Sequence, residues 1–320
     1  MHRTQRINRN NHTNRMIELI RRPLPDWYAD IPSALFLLAV VTNTVLICRT
    51  SALWLLAPLT MLQTLLMVGC QEAKHLSVHG TFFRHRGLND AVGIICAGMF
   101  GVNFIAYRYF HFAHHRATCS ETDPEGRLYS LSWRTRWIWL LAPLELPWVA
   151  WHIGRIAWAM VPAHKHWQRN AVVVWMTALG IAAVVGLCLA PAAVTCCYLI
   201  PLSLFAWFDF VLTQAEHYGV AIVPAAQARD ARTISHDIVL PFGLGWLTLH
   251  RGLHRVHHGH PALRWFLAPR ALKRDRTAAP LSYGAFARRW FTGGPRLWLN
   301  AQGEPANAMV SALPRSTSRS

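Results

Sequence analysis

Four apolar stretches limit what this 320-residue chain can fold into more than any other feature of its sequence. A helix that crosses a bilayer needs about 20 predominantly apolar residues, and in lipid its backbone amides must be bonded within the segment. Residues 31–48 and 52–70 supply two such runs, parted only by Arg49-Thr50-Ser51. Residues 171–212 are long enough for two more, and Leu189-Ala190-Pro191 marks the break, because proline cannot continue a helix without losing a bond. The reading is an all-α integral membrane protein with spans at about 31–48, 52–70, 171–190 and 192–212, paired as two hairpins. Two further apolar pieces, 91–107 and 137–151, contain several glycines or prolines and fit shallow or re-entrant helices better than spans.

Charge sets the expected orientation. Lys and Arg number 32 against 15 Asp and Glu, and all but Arg49 lie in residues 1–31, 71–170 and 213–320. The positive-inside rule makes those segments cytoplasmic, which places both termini and a helical cap on one face (the inner membrane's cytoplasmic side if the source is bacterial). A six-span arrangement would carry part of the central cations across and is disfavoured. Only 15% of residues are charged, well below the ~25% of a soluble domain, and the cations flank apolar runs. Anionic headgroups therefore answer the net charge of +17 better than nucleic acid does. Residues 1–30 read as a basic arm without the apolar core of a signal peptide, and 300–320 as a second disordered tail. Residues 31–299 form a single membrane domain. The seven cysteines show no CxxC spacing and no paired framework, and nothing in them points to an oxidising compartment.

The chemistry lies in the 18 histidines. His75 and His79 form HxxxH; His111, His114 and His115 form HxxHH; His254, His257 and His258 form a second HxxHH. Residues i, i+3 and i+4 share a helix face, so each box points two or three imidazoles in one direction. His75 and His79 follow the second predicted span, and His217 follows the fourth, so all nine emerge on one face. Nine candidate ligands are too many for one ion and imply two metals. Imidazole suits zinc, copper, iron and nickel alike. HExxH is absent, and Glu72-Ala-Lys-His75 is a single ExxH, too little for a carboxylate-bridged site. His85, His152, His164, His166 and His236 lack box spacing and read as structural; His260 reads as solvent-facing.

At these motifs the chain resembles the membrane fatty acid desaturase superfamily. The similarity extends from His79-Gly-Thr-Phe-Phe-Arg-His-Arg-Gly-Leu-Asn89-Asp90 to Tyr107-Arg-Tyr-Phe-His111-Phe-Ala-His114-His115 with Asp123-Pro124-Glu125, then Ala215-Glu-His217-Tyr-Gly219, Arg232-Thr-Ile, and His257-His258-Gly-His-Pro261. It covers roughly residues 30–275. Two positions depart from the pattern: His250 stands where many relatives carry Asn, and Thr213 where acyl-carrier relatives carry it.

The resemblance implies a di-iron centre with His75, His79, His111, His114, His115, His217, His254, His257 and His258 as ligands, His250 as a further ligand or a hydrogen-bonding neighbour, and O2 as co-substrate. It further implies an oxidoreductase with a membrane-lipid or lipid-like substrate. Desaturation of a fatty acyl chain is the first reading, with hydroxylation or ketolation by the same site as the alternative. A non-enzymatic metal-binding or transport protein is a remote third, because the predicted spans contain only Asp209 as a path for an ion. No haem-binding or cluster motif is present, so electrons come from a separate donor such as a ferredoxin. Arg270, Lys273, Arg274 and Arg276 form the candidate docking patch.

Overall fold

The computed structural model describes residues 28–127, 142–227, 230–275 and 279–294. The arm to residue 27, the tail from 295, residues 137–141 of the second shallow piece and Arg276 lie outside the described residues.

Among the described residues, four helices are long and apolar enough to cross a membrane: α1 (Ile31–Arg49), α2 (Leu53–Val78), α6 (His166–Leu189) and α7 (Pro191–Glu216). Between them come α3 (Arg86–Gly98), α4 (Phe104–Ala117) and α5 (Ala142–Met160). After α7 the chain forms the short α8 (Leu244–Leu247), then α9 (His254–Gly259), α10 (Ala268–Arg274) and α11 (Tyr283–Gly293). A two-stranded parallel ladder pairs β1 (Ile238–Val239) with β2 (Leu281–Ser282).

Two predicted span ends are corrected. The apolar run ends at Cys70, but α2 continues to Val78; likewise α7 continues past Leu212 to Glu216. Gln71, Glu72, Ala73 and Lys74 are polar or small but strong helix formers, so hydropathy falls while helicity persists. His75 therefore stands on the spanning helix itself rather than after it, together with Glu72 and Lys74. The run 91–107 is not one helix. It is split between α3 and α4 by a turn with Gly101 at φ +67°, a left-handed value that glycine adopts without strain.

The hub is α2, which packs against α1, α3, α4, α7 and α8. Its first turn faces outward, with Leu53 and Trp54 exposed, whereas residues from Gln63 onward are mostly buried. Gly69 permits the closest approach: a Cβ there would lie 2.4 Å from the Leu247 carbonyl oxygen of α8 and 2.5 Å from the Phe36 ring. Within lipid, helices gain little from apolar contact alone, and polar side chains contribute about 0.6–2 kcal/mol per interhelical bond. Asn43 of α1 does this, donating to the Gln63 side chain at 2.8 Å and to the Leu59 carbonyl at 3.0 Å on α2. Ser33, at the other end of α1, donates to Phe82 O and accepts from the Trp265 indole. That bond ties α1 to the segments carrying the boxes.

Candidate metal centre

The structure gathers the nine histidines singled out above into two groups. His75, His79, His111, His115 and His257 form one; His114, His217, His254 and His258 form the other; within each, the ligand atoms lie within 4.8 Å of one another. His75 stands on α2, and His79 and His217 are the residues that close α2 and α7. α4 carries box two and α9 box three.

Each HxxHH box sends two of its imidazoles to one group and the third to the other. On α4 the i, i+4 pair His111 and His115 joins the group of five while His114 turns to the group of four. On α9 the allocation reverses, with His254 and His258 in the group of four and His257 in the group of five. On a helix, residue i+4 lies about 40° to one side of i and residue i+3 about 60° to the other, so the pair i, i+4 and the residue i+3 can face different groups. Each of the two HxxHH boxes thus serves both groups.

The nitrogens converge closely. His75 Nε2 lies 2.8 Å from His257 Nε2, which lies 3.2 Å from His115 Nε2, and His79 Nε2 lies 2.8 Å from His111 Nε2. In the second group, His254 Nε2 lies 3.1 Å from His217 Nε2 and 2.9 Å from His258 Nε2. Two nitrogens bound at about 2.1 Å to one ion, at right angles, stand about 3 Å apart. The far sides of the rings are held as metal-binding histidines require. His75 Nδ1 meets Glu72 Oε2 at 3.1 Å, His114 Nδ1 meets both Asp123 oxygens at 3.0 Å, and His217 Nδ1 donates to Ile234 O at 2.8 Å. Among the described residues His114 Nε2 is left buried without a hydrogen-bond partner.

Electrostatics agree with this donor set. Burial pushes His79 down to about 4 and His217 to about 4, and burial together with His114 pushes His115 down to about 3. Burial likewise lowers His111, His254, His257 and His258. These seven neutral rings, offering lone pairs, suit divalent ions. His114 is the exception: burial opposes its charge, but the carboxylates of Asp123 and Glu125 outweigh it and raise it to about 9. The residues present fit two metal ions.

Several supporting residues were not named as functional from sequence. Asp123 accepts from the backbone amides of Cys119 and Glu125, a rigid cradle for its contact with His114. Asp237 is buried, accepting from Arg255 Nε and Val256 N, and so anchors the start of α9. Arg251 pairs with Asp209 and reaches Glu216 at 3.4 Å and the Thr213 hydroxyl at 3.0 Å. Asp123 and Glu72 carried a weak signal, as Asp-Pro-Glu and ExxH; Asp237 and Arg251 carried none.

His250 belongs to neither group. It has φ +58°, its Nε2 is buried without a partner, and its ring lies against Trp246 and Trp265 beside a small cavity also lined by His75 and His257. His260, read as solvent-facing, is half-buried and lines the same cavity, because the chain turns back at α9's end. His85, His164 and His166 are exposed, His152 rests on Trp148, and His236 donates to Tyr218 O. A second cavity of about 70 Å³ adjoins both groups and has a polar wall that includes Gln71, Lys74, Asp209, Thr213 and Arg251.

Compared with known proteins, residues 52–290 match the family model described as fatty acid desaturase. No curated protein matches the chain. A family match across that much of the sequence, over four membrane-length helices and the histidine boxes, is decisive: the chain belongs to the fatty acid desaturase family, multi-pass membrane oxidoreductases of lipid metabolism.

Proposed function

We propose that this protein is an O2-dependent, di-iron desaturase that introduces a carbon–carbon double bond into a fatty acyl or lipid-like substrate. The observation that supports this most is the division of nine imidazoles into groups of five and four, since an ion takes roughly four to six ligands. The nine are the iron ligands, and His250 is a neighbour of the group of five. The chemistry two bound irons supply is activation of dioxygen and removal of hydrogen from an unactivated carbon. The chain's own residues do the rest. Glu72 and Asp123 hold the Nδ1 protons of His75 and His114 and aim the opposite nitrogens inward. Burial of His114 on α4 and of His254 and His258 on α9 keeps bulk water from the group of four.

Hydroxylation or ketolation by the same residues is the second reading, and the polar wall of the larger cavity favours it. Such a wall suits a substrate with a polar atom near the reacting carbon better than a bare alkyl segment. The two outcomes separate by mass. The full chain, expressed with a reductase and ferredoxin in a lipid-producing host, should yield a product lighter by two hydrogens for desaturation, or heavier by one oxygen for hydroxylation. Purified protein should hold about two irons per chain. A lipid pool identical to that of a His257→Ala control, in protein without iron, would overturn the assignment.

The membrane domain spans 31–299, with α1–α2 and α6–α7 as hairpins and both termini and the histidine groups cytoplasmic. The distribution of cations supports this orientation. Electrons reach the site from a separate acidic carrier docking on α10, where Arg270, Lys273 and Arg274 are all exposed. In a background with Cys48, Cys188, Cys196 and Cys197 as serine, Thr50→Cys should label from outside and Glu121→Cys should not. Labelling of the second would reverse the orientation.

A further inference from the structure

The end of the molecule remote from the histidines contains a pair of cysteines that the metal chemistry does not use. Cys48 lies in the last turn of α1, beside Arg49. From Ser33, which bonds to the box-bearing segments, α1 rises roughly 22 Å to Cys48 at ~1.5 Å per residue. Opposite it, α7 is interrupted by a π turn, Thr195–Leu199, which packs against α1. The Cys197 sulfur lies 3.1 Å from the Cys48 sulfur and 3.8 Å from Thr44 O. Thr44 and Cys48 are four residues apart, so Cys197 sits over one face of α1.

We propose that Cys48 and Cys197 form a disulfide that ties the first span to the last on the membrane face opposite the histidine groups. The sulfurs need approach by only about 1 Å to reach the ~2.0 Å bond. Cys48 is exposed and Cys197 partly so, which gives an oxidant access. In forming the bond, two S–H bonds are lost and one S–S bond is made. The two protons and two electrons pass to the disulfide of a thiol–disulfide exchange protein, whose S–S bond becomes two thiols. The location rests on the orientation proposed above, which puts this pair in an oxidising compartment rather than the reducing cytoplasm. A tie is useful here because the spans bury little of themselves: 22% of the α1 window and 22% of the α7 window. It joins residues 149 positions apart, so it removes much freedom from the unfolded chain.

The test uses the full-length protein in membranes from cells quenched in acid, with free thiols blocked by N-ethylmaleimide before reduction and peptide mapping. The expected result is a Cys48–Cys197 linked peptide, unchanged in Cys196→Ser and absent in Cys48→Ser. Cys48→Ser and Cys197→Ala should each lower the thermal midpoint by about 5 °C or more, with iron content unaltered. Reaction of both cysteines with N-ethylmaleimide before reduction overturns the proposal. If oxidised glutathione then forms the bond in the isolated protein, the pairing geometry stands and the compartment is wrong, which the Thr50→Cys labelling checks separately. If glutathione joins neither pair, or joins Cys48 to Cys196, the geometry itself fails.

Discussion

The two imidazole groups share α4 and α9 yet differ in how they are enclosed. In the group of four, every histidine is buried; in the group of five, only His111 is, and the others are half-buried. The smaller group also has the tighter outer support, with Asp123 on His114 and the Ile234 carbonyl on His217, whereas the larger has Glu72 on His75. Fewer ligands with firmer anchoring against more ligands in a looser setting is a difference in tolerance. A site of four loses a quarter of its donors with one substitution; a site of five retains four. The group of four should therefore be the more fragile and the group of five the one that adjusts during turnover.

The largest effect expected of that difference is on ligand removal. His258→Ala should lower iron from about two to about one per chain and reduce turnover by well over the ~100-fold typical of outer partners. His79→Ala should keep more of its iron. Metal analysis of the two purified variants decides, and equal losses would dissolve the distinction. Next comes the outer support. Asp123→Asn should weaken metal binding by about 10–100-fold in the group of four, and Glu72→Gln should do so in the group of five alone. A chelator titration that strips both groups in parallel in either variant would contradict this.

Electron delivery should be a smaller effect. Reversing Arg270 and Lys273 to Glu should slow donor-dependent turnover several-fold at low salt, with iron unchanged, and the deficit should shrink as the Debye length falls to ~8 Å. A double variant that matches the parent at low salt would move the docking surface elsewhere. His250 gives the smallest effect. His250→Ala should keep both irons and lose turnover only a few-fold, while a loss as deep as that of His79→Ala would place His250 among the ligands. Burial depresses His250 from 6.5 to about 4. Its neutral ring thus contributes stability that is present above about pH 6.5 and lost as pH falls through about 4. Melting curves of His250→Asn across that window should show a shallower acid loss than the parent.

The spanning helices were legible because hydropathy is a sum over many residues, and one misjudged position hardly shifts it. Their ends were less so: Gln71 to Lys74 look like a boundary by polarity and like a helix by propensity, and only packing against α3, α4 and α7 settles which prevails. The histidines that cluster could be named from spacing, but their partition could not. Which of i+3 and i+4 faces which group depends on the rotation of α4 and α9 about their own axes, and tertiary contacts such as Asp237 with Val256 fix it. Cys48 and Cys197 show no local pattern, since their proximity arises only when α1 and the π turn of α7 meet.

The partition of the boxes also fixes an order of events during synthesis. Each group draws at least one member from α9, so the group of five is complete only once residue 257 has been made and the group of four only once residue 258 has. A nascent chain ending before α9 has four members of one group and two of the other, and α1, α2, α6 and α7 have all been made by then. The last box completes both groups within two consecutive residues, so that full metal loading would report a chain grown past α9.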